Sequence, residues 1–173
     1  MLKYSFALLL AASLCAPVAC SRSEAPEHDA EGESAVASAR GDDTAIDDVR
    51  AGVRALTQPE PSVEYVAAEL EGVIMARTKS QALMHYDGYR VTLTTPPANR
   101  VTRITFELIE AKPTIEQLTG VFGEPQEVRK GMLYEHTSAV TGARILILAE
   151  PVSTPAEEGS LVRRIVIEGA RAR

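Results

Sequence analysis

The stretch VTRITFE at residues 101–107 recurs as VRRIVIE at residues 162–168, an offset of 61 residues. From Ile104 in the first copy and Ile165 in the second, every second side chain is apolar. This period is typical of a β-strand that buries one face. Each stretch closes a longer segment, and the two segments match in the same order, so the sequence predicts a duplicated unit.

The earlier parts of the two segments carry the same correspondence. Two further pairs match at offsets of 52 and 54 residues: PSVE at 61–64 with PTIE at 113–116, and RVTL at 90–93 with RILI at 144–147. The offset grows to 54 where the turn at 138–142 is longer than the one at 87–88, and to 61 where the loop at 151–160 is longer than the one at 96–100. The predicted units are therefore 61–112 and 113–169, within a folded domain that spans 61–173.

Each unit predicts one short helix followed by strands. Ser62 and Thr114 are N-cap residues, and Gln117 completes a capping box with Thr114. Three strands follow each helix, at 73–86, 89–95 and 101–110 and then at 126–137, 143–149 and 161–168. Short loops make neighbouring strands antiparallel. The predicted fold is α+β: a two-layer sandwich in which tandem αβββ repeats form a six-stranded antiparallel sheet with helices on one face.

The N-terminus is typical of an exported protein. Lys3 precedes the largely apolar stretch FALLLAASLCAPVA at 6–19, which is shorter than the roughly 20 residues of a membrane-spanning helix. We interpret 1–19 as a signal peptide. Its end, PVAC at 17–20, resembles the lipobox of bacterial lipoproteins, which implies lipidation of Cys20. The alternative is ordinary cleavage, giving a soluble secreted or periplasmic protein.

Residues 20–60 are predicted to be an acidic, flexible tether. Ten acids and four arginines lie between 21 and 60, a net of −6, which equals the formal charge of the whole chain. The first half of this segment lacks the apolar residues needed to offset its ordering entropy. Within the tether, Ile46, Val49 and Val53 share one face of a possible helix at 45–56.

The second unit resembles a known family. LTGVFGEP at 118–125 is followed by a strand containing Leu133 and Tyr134, an aliphatic strand and a closing strand. This order resembles the SmpA/OmlA (BamE-like) lipoprotein domain and the related beta-lactamase inhibitor protein fold, most closely over 114–168. The resemblance implies a non-catalytic envelope lipoprotein that binds proteins through its sheet face or loops. Ser21 after Cys20 implies an outer membrane lipoprotein facing the periplasm, held in the membrane by acyl chains such as palmitate.

The sequence offers little chemistry for catalysis. Cys15 and Cys20 are its only cysteines, and no P-loop, zinc-protease or serine-hydrolase motif is present. His85 and His136 are expected to lie at solvated strand ends. The excess of 24 acids over 18 bases argues against a nucleic-acid partner. We therefore predict no catalytic residue, no cofactor and no metal. An enzyme or small-ligand carrier of the periplasm, or an inhibitor or immunity-like protein, remains an alternative.

The sheet face away from the helices is the candidate binding surface. The period of two places apolar side chains on that face in the second unit, where the first unit carries threonines. The candidate protein-binding residues are Leu146, Leu148, Val166, Arg144 and Arg164. An exposed apolar patch rimmed by charge marks a contact surface. Either an envelope partner or a second copy covers the patch, or the 45–56 helix covers it within the same chain.

Overall fold

The structure is a computed structural model that describes residues 30–96, 100–153, 155, 157 and 159–169, with side chains from residue 43 onward. The predicted signal peptide, Cys20 and the tether up to residue 29 lie outside the described residues. The helices are α1 (Ala30–Leu56), α2 (Val63–Glu69) and α3 (Ile115–Phe122). The strands are β1 (Ile74–Arg77), β2 (Gln81–Tyr86), β3 (Tyr89–Thr94), β4 (Arg103–Leu108), β5 (Gln126–Val128), β6 (Gly131–Thr137), β7 (Arg144–Pro151) and β8 (Val162–Gly169).

The strands form one antiparallel sheet in the order β1-β2-β3-β4-β8-β7-β6-β5. Strands β4 and β8, the last of each predicted unit, pair with each other in the middle, with Thr105 opposite Val166. All three helices lie on one face, so the predicted α+β two-layer architecture is confirmed. The two outermost strands, β1 and β5, are the shortest, which limits the length of unpaired backbone at the open edges.

The number of strands was predicted wrongly, since the sheet has eight and not six. The strand predicted at 73–86 divides at a turn in which the Thr78 hydroxyl accepts hydrogen bonds from the backbone N–H groups of Ser80 and Gln81, at 3.3 and 3.0 Å. The strand predicted at 126–137 divides before Gly131, whose φ of 147° suits glycine. Neither turn contains the Asn-Gly or Asp-Gly signal that marks the β2–β3 hairpin at Asp87-Gly88.

The two predicted helix starts are confirmed. The Ser62 hydroxyl accepts a hydrogen bond from the Tyr65 backbone N–H at 3.1 Å. Thr114 and Gln117 form a complete capping box, with backbone-to-side-chain distances of 3.2 and 2.8 Å. The carbonyl of the residue before each cap accepts a hydrogen bond from a distant part of the chain. The Val101 N–H, just before β4, donates to the Pro61 carbonyl at 2.8 Å, and the Val162 N–H at the start of β8 donates to the Pro113 carbonyl at 2.9 Å.

Helix α1 belongs to the folded core. Ala45, Val49 and Val53 are at most 3% exposed. A Cβ added at Gly52 would lie 3.2 and 3.3 Å from side-chain atoms on β8 and β4, so the helix backbone closely approaches the middle of the sheet. The helix predicted at 45–56 is present, but it begins at Ala30, inside the segment predicted to be a flexible tether. The folded unit therefore extends N-terminal to the boundary predicted at residue 61.

Candidate protein-binding surface

The sheet has an inner face against the helices and an outer face away from them. The inward residues Ile145, Ile147, Ile165 and Ile167 are at most 1% exposed. The alternate side chains of β7 and β8 belong to the outer face, as the period of two predicts. They include every candidate binding residue: Leu146, Leu148, Val166, Arg144 and Arg164. The structure thus brings the five predicted residues onto one surface.

Four of the five, all except Arg144, belong to rows that cross the strands. The central row runs through cross-strand neighbours on six strands: Leu83, Thr92, Thr105, Val166, Leu148 and Leu133. All six side chains are half-buried. Sequence reasoning identified Val166 and Leu148 but missed Leu83 and Leu133, because β2 and β6 had been merged with their neighbours. The central row is apolar at both ends and carries threonine on β3 and β4.

One charged row borders the central row, and we call it the Glu107 row. It contains Arg90, Glu107, Arg164 and Glu150, on four consecutive strands. Ion pairs join each neighbour to the next: Arg90 to Glu107 at 2.7 Å, Arg164 to Glu107 at 3.4 Å and Arg164 to Glu150 at 3.5 Å. Because these partly exposed pairs are screened by water, each stabilises the fold by about 1 kcal/mol or less. In the structure they link the side chains of four neighbouring strands into one row.

A second charged row, the Glu168 row, borders the central row on its other side. Arg103 donates a hydrogen bond to Glu168 on the neighbouring strand. Leu146 and Glu135 continue the row across β7 and β6. The Arg144 guanidinium donates to Glu135 and holds the pKa of that carboxyl below its usual range. Arg144 and Arg164 therefore already have ion-pair partners within the chain, and they border the apolar residues that lie between them.

A groove opens on the outer face where β4, β8 and β7 meet. Its volume is about 330 Å³. Thr105, Val166 and Leu148 of the central row line it, the two charged rows form its sides, and Lys130 in the β5–β6 turn also lines it. The groove combines an apolar floor with a charged rim, which is the composition of a protein contact site.

Three further apolar residues lie at one end of the same strands. Ile109 directly follows β4, Val152 directly follows β7 and Leu161 directly precedes β8. They are 56%, 53% and 46% exposed, and the Val152 N–H donates to the Leu161 carbonyl at 2.8 Å. Sequence reasoning did not select these residues: Ile109 and Leu161 are at the ends of predicted strands, and Val152 is in the predicted loop at 151–160. The strand order brings them together, since β4, β8 and β7 are neighbours.

Of the alternatives for the apolar patch, the structure does not support cover by the 45–56 helix. Helix α1 packs on the inner face, where Gly52 faces Ile104 and Ile167. Helices α2 and α3 lie on the same side, since the Tyr86 hydroxyl donates to the Leu70 carbonyl and the Tyr134 hydroxyl to the Ile115 carbonyl. Within the described part of the chain, no helix lies over the central row.

His85 and His136, the two described histidines, do not form a common site. His85 is paired with Arg90 and belongs to the outer face, whereas His136 is paired with the inward Ile145. The two side chains therefore start from opposite faces of the sheet. Among the described residues, no group of three or more histidine, cysteine, aspartate or glutamate side chains could hold a metal ion.

A polar cluster joins α1 to the sheet on the inner face. The Tyr89 hydroxyl donates to the Asp48 carboxylate, and the Tyr89 ring stacks on Tyr86 with ring centres 4.9 Å apart. Burial raises the pKa of the Asp48 carboxyl above its ordinary value of 3.8, against the opposing effect of the hydrogen bond from Tyr89. Glu71 and Asp47 raise the same pKa further by charge repulsion. We assign this cluster a structural role, because it connects α1 with β2 and β3.

Comparison with known proteins gives no match to a family model, to a curated protein or to a solved structure. A search of the helices in the described residues finds none that is long and apolar enough to cross a membrane. The geometry of the outer face is therefore the main guide to function.

Proposed function

We propose that this chain is a non-catalytic lipoprotein of the bacterial cell envelope that binds another protein through the outer face of its sheet. The observation that carries the proposal is the groove over Thr105, Val166 and Leu148, which none of the described helices covers. An apolar floor between two ordered rows of charge fits a protein partner, because burying it would release water from apolar surface.

We also propose that the domain arose by duplication of one unit, giving 61–112 and 113–169. The strand order is symmetric about the β4–β8 pair, since each half reads outward as fourth, third, second and first strand. The N-caps and the carbonyls of Pro61 and Pro113 have equivalent hydrogen bonds in the two halves. The two units differ on the outer face: β7 and β8 carry apolar side chains where the corresponding strands β3 and β4 carry threonines. Folding alone does not require this divergence.

The location is part of the proposal. A signal peptide at 1–19 would direct export and then be removed. Lipidation of Cys20 would hold the domain at the outer membrane, facing the periplasm, as the resemblance to the SmpA/OmlA lipoproteins implies. If Cys20 is the anchor, Cys20→Ala should abolish metabolic labelling with palmitate and move the protein to soluble fractions. Cys15→Ala is the matched control, and it should keep both the label and the membrane fraction. Labelling that survives in Cys20→Ala would contradict the anchor.

The binding role is tested by changing Leu148 of the central row together with Leu146 of the Glu168 row. Leu146→Thr with Leu148→Thr gives β7 the polarity that the outward residues of β3 already have. We expect a folded domain that no longer captures its envelope partner after crosslinking in intact cells. Met75→Thr is the control, since Met75 is 65% exposed on the edge strand β1. A double variant that folds and captures the same protein as the unchanged chain would exclude this face.

A further inference from the structure

We propose that the partner presents an acidic segment to the outer face, with an apolar side chain in the groove and a carboxylate beside Lys130. This inference rests on the proposed function and adds the chemistry of the partner. It is carried by the charges of the outer face, by the exposure of Lys130 without an ion pair among the described residues, and by the shape of the groove.

The charged side chains of the two rows and of their neighbours Arg144, Arg163 and Lys130 include more bases than acids, although the chain as a whole is acidic. The two charged rows, with Arg144, Arg163 and Lys130, contain six bases and four acids, a net of +2, whereas the chain has a net charge of −6. Each of the four glutamates is in an ion pair with an arginine. The glutamates are therefore neutralised within the chain, and the remaining field of the face attracts anionic groups.

Lys130 is the cation best placed to meet such a group. Its side chain lines the groove beside Leu148 and Glu150, and the residue is exposed. No ion pair involves Lys130 among the described residues, in contrast to the arginines of the two rows. A carboxylate arriving there would gain a new pair without breaking one that the fold already has.

The same observations disfavour two other occupants. A second copy meeting face to face would bring two surfaces of net +2 together, which costs association free energy. A bilayer surface is flat, whereas the site is a groove of about 330 Å³ whose floor lies between two charged rows. A protruding segment of a protein fits this shape, because one apolar side chain can reach Val166 and Leu148 while acidic neighbours meet the rim.

The test measures binding of short labelled peptides to the purified mature protein by fluorescence anisotropy. The probe alternates leucine with glutamate, and matched probes carry glutamine or lysine in place of glutamate. We expect the glutamate peptide to bind best and to weaken as salt rises. Lys130→Glu should weaken it by about fivefold or more, since an attractive pair becomes a repulsive one. Leu148→Thr should weaken it as well.

Lys79→Glu is the matched control, because Lys79 makes the same charge change in the exposed turn between β1 and β2. It should bind the glutamate peptide as the unchanged protein does, and thermal melting should show that all variants fold. Equal binding of the glutamine peptide, equal loss in Lys79→Glu, or no binding of any peptide would overturn the acidic partner. The proposed function would then stand if Leu146→Thr with Leu148→Thr still lost the crosslinked envelope protein. Binding to vesicles of anionic lipid, lost in Lys130→Glu while the peptides do not bind, would assign the face to a membrane.

Discussion

Replacing Asp48 separates the effect of its hydrogen bond with Tyr89 from the effect of its buried negative charge. In Asp48→Ala the Tyr89 hydroxyl loses its acceptor, and Tyr89 is only 2% exposed. Leaving a buried donor unpaired costs about 1–3 kcal/mol. Asp48→Asn keeps an acceptor oxygen for Tyr89 and removes only the negative charge.

The direction of the charge effect follows from the raised pKa of Asp48. The folded state binds the proton more tightly than the unfolded state does, so the contribution of Asp48 to stability is full below its ordinary pKa of 3.8. It is lost as the pH rises through the higher pKa of the folded state. At neutral pH, Asp48→Asn should therefore be at least as stable as the unchanged protein. Its advantage should vanish on acidification to below pH 3.8.

The assay is chemical denaturation of the unchanged protein and both variants at neutral and acidic pH. Comparing each variant with the unchanged chain at the same pH cancels the titration of the other carboxyls. Asp48→Ala should lower the free energy of unfolding by about 1–3 kcal/mol at neutral pH. The reasoning is refuted if Asp48→Asn is destabilised as much as Asp48→Ala, or if its difference from the unchanged protein does not vary with pH.

Two other changes test the fold. A chain beginning at residue 57 removes Ala45, Val49 and Val53 from the core, so we expect it to lose cooperative thermal unfolding; a sharp transition at the same temperature as the full mature chain would contradict a core role for α1. Gly131→Ala should destabilise the sheet strongly, because φ is 147° and the new Cβ would lie 2.1 Å from the Ala149 carbonyl oxygen. Gly120→Ala on α3 is the control, because a Cβ added there meets no atom within 4 Å. It should leave stability unchanged or raise it by up to about 1 kcal/mol. Equal melting temperatures for the two variants would argue against the register of β6 on β7 at Gly131.

The inward residues of the central strands were predictable because their period is regular. Ile104, Ile165 and their alternate neighbours are apolar in a strand pattern, and the N-caps at Ser62 and Thr114 have an unambiguous local mechanism. The extra strands β1 and β5 were not predictable by the same reasoning, because each is only three or four residues long and lacks a strong turn signal at its end. The number of strands was predicted wrongly because β1 and β5 are short, and not because a helical period was mistaken for a strand period.

The candidate site was only partly accessible to sequence reasoning. Leu146, Leu148 and Val166 follow from alternation along single strands. The approach of Lys130 to Leu148 depends on the order and register of strands, which no local pattern encodes. The sequence does not determine which face of the sheet α1 contacts. An apolar stripe shows that a helix packs against other elements, but it does not identify the sheet face that they form.

The pairing of β4 with β8 also bears on how the chain reaches its native state. Each of the other strand pairs joins strands consecutive in sequence, whereas Thr105 must find Val166, 61 residues away. Contacts of such separation form slowly, because a long loop must close before the pair is stabilised. A chain synthesised from its N-terminus therefore presents β4 as an open edge until β8 is available, with Ile104 and Phe106 ready to pair with a strand of another chain. Completing the central strand pair within one molecule is thus the step that removes this open edge and limits strand exchange between nascent chains.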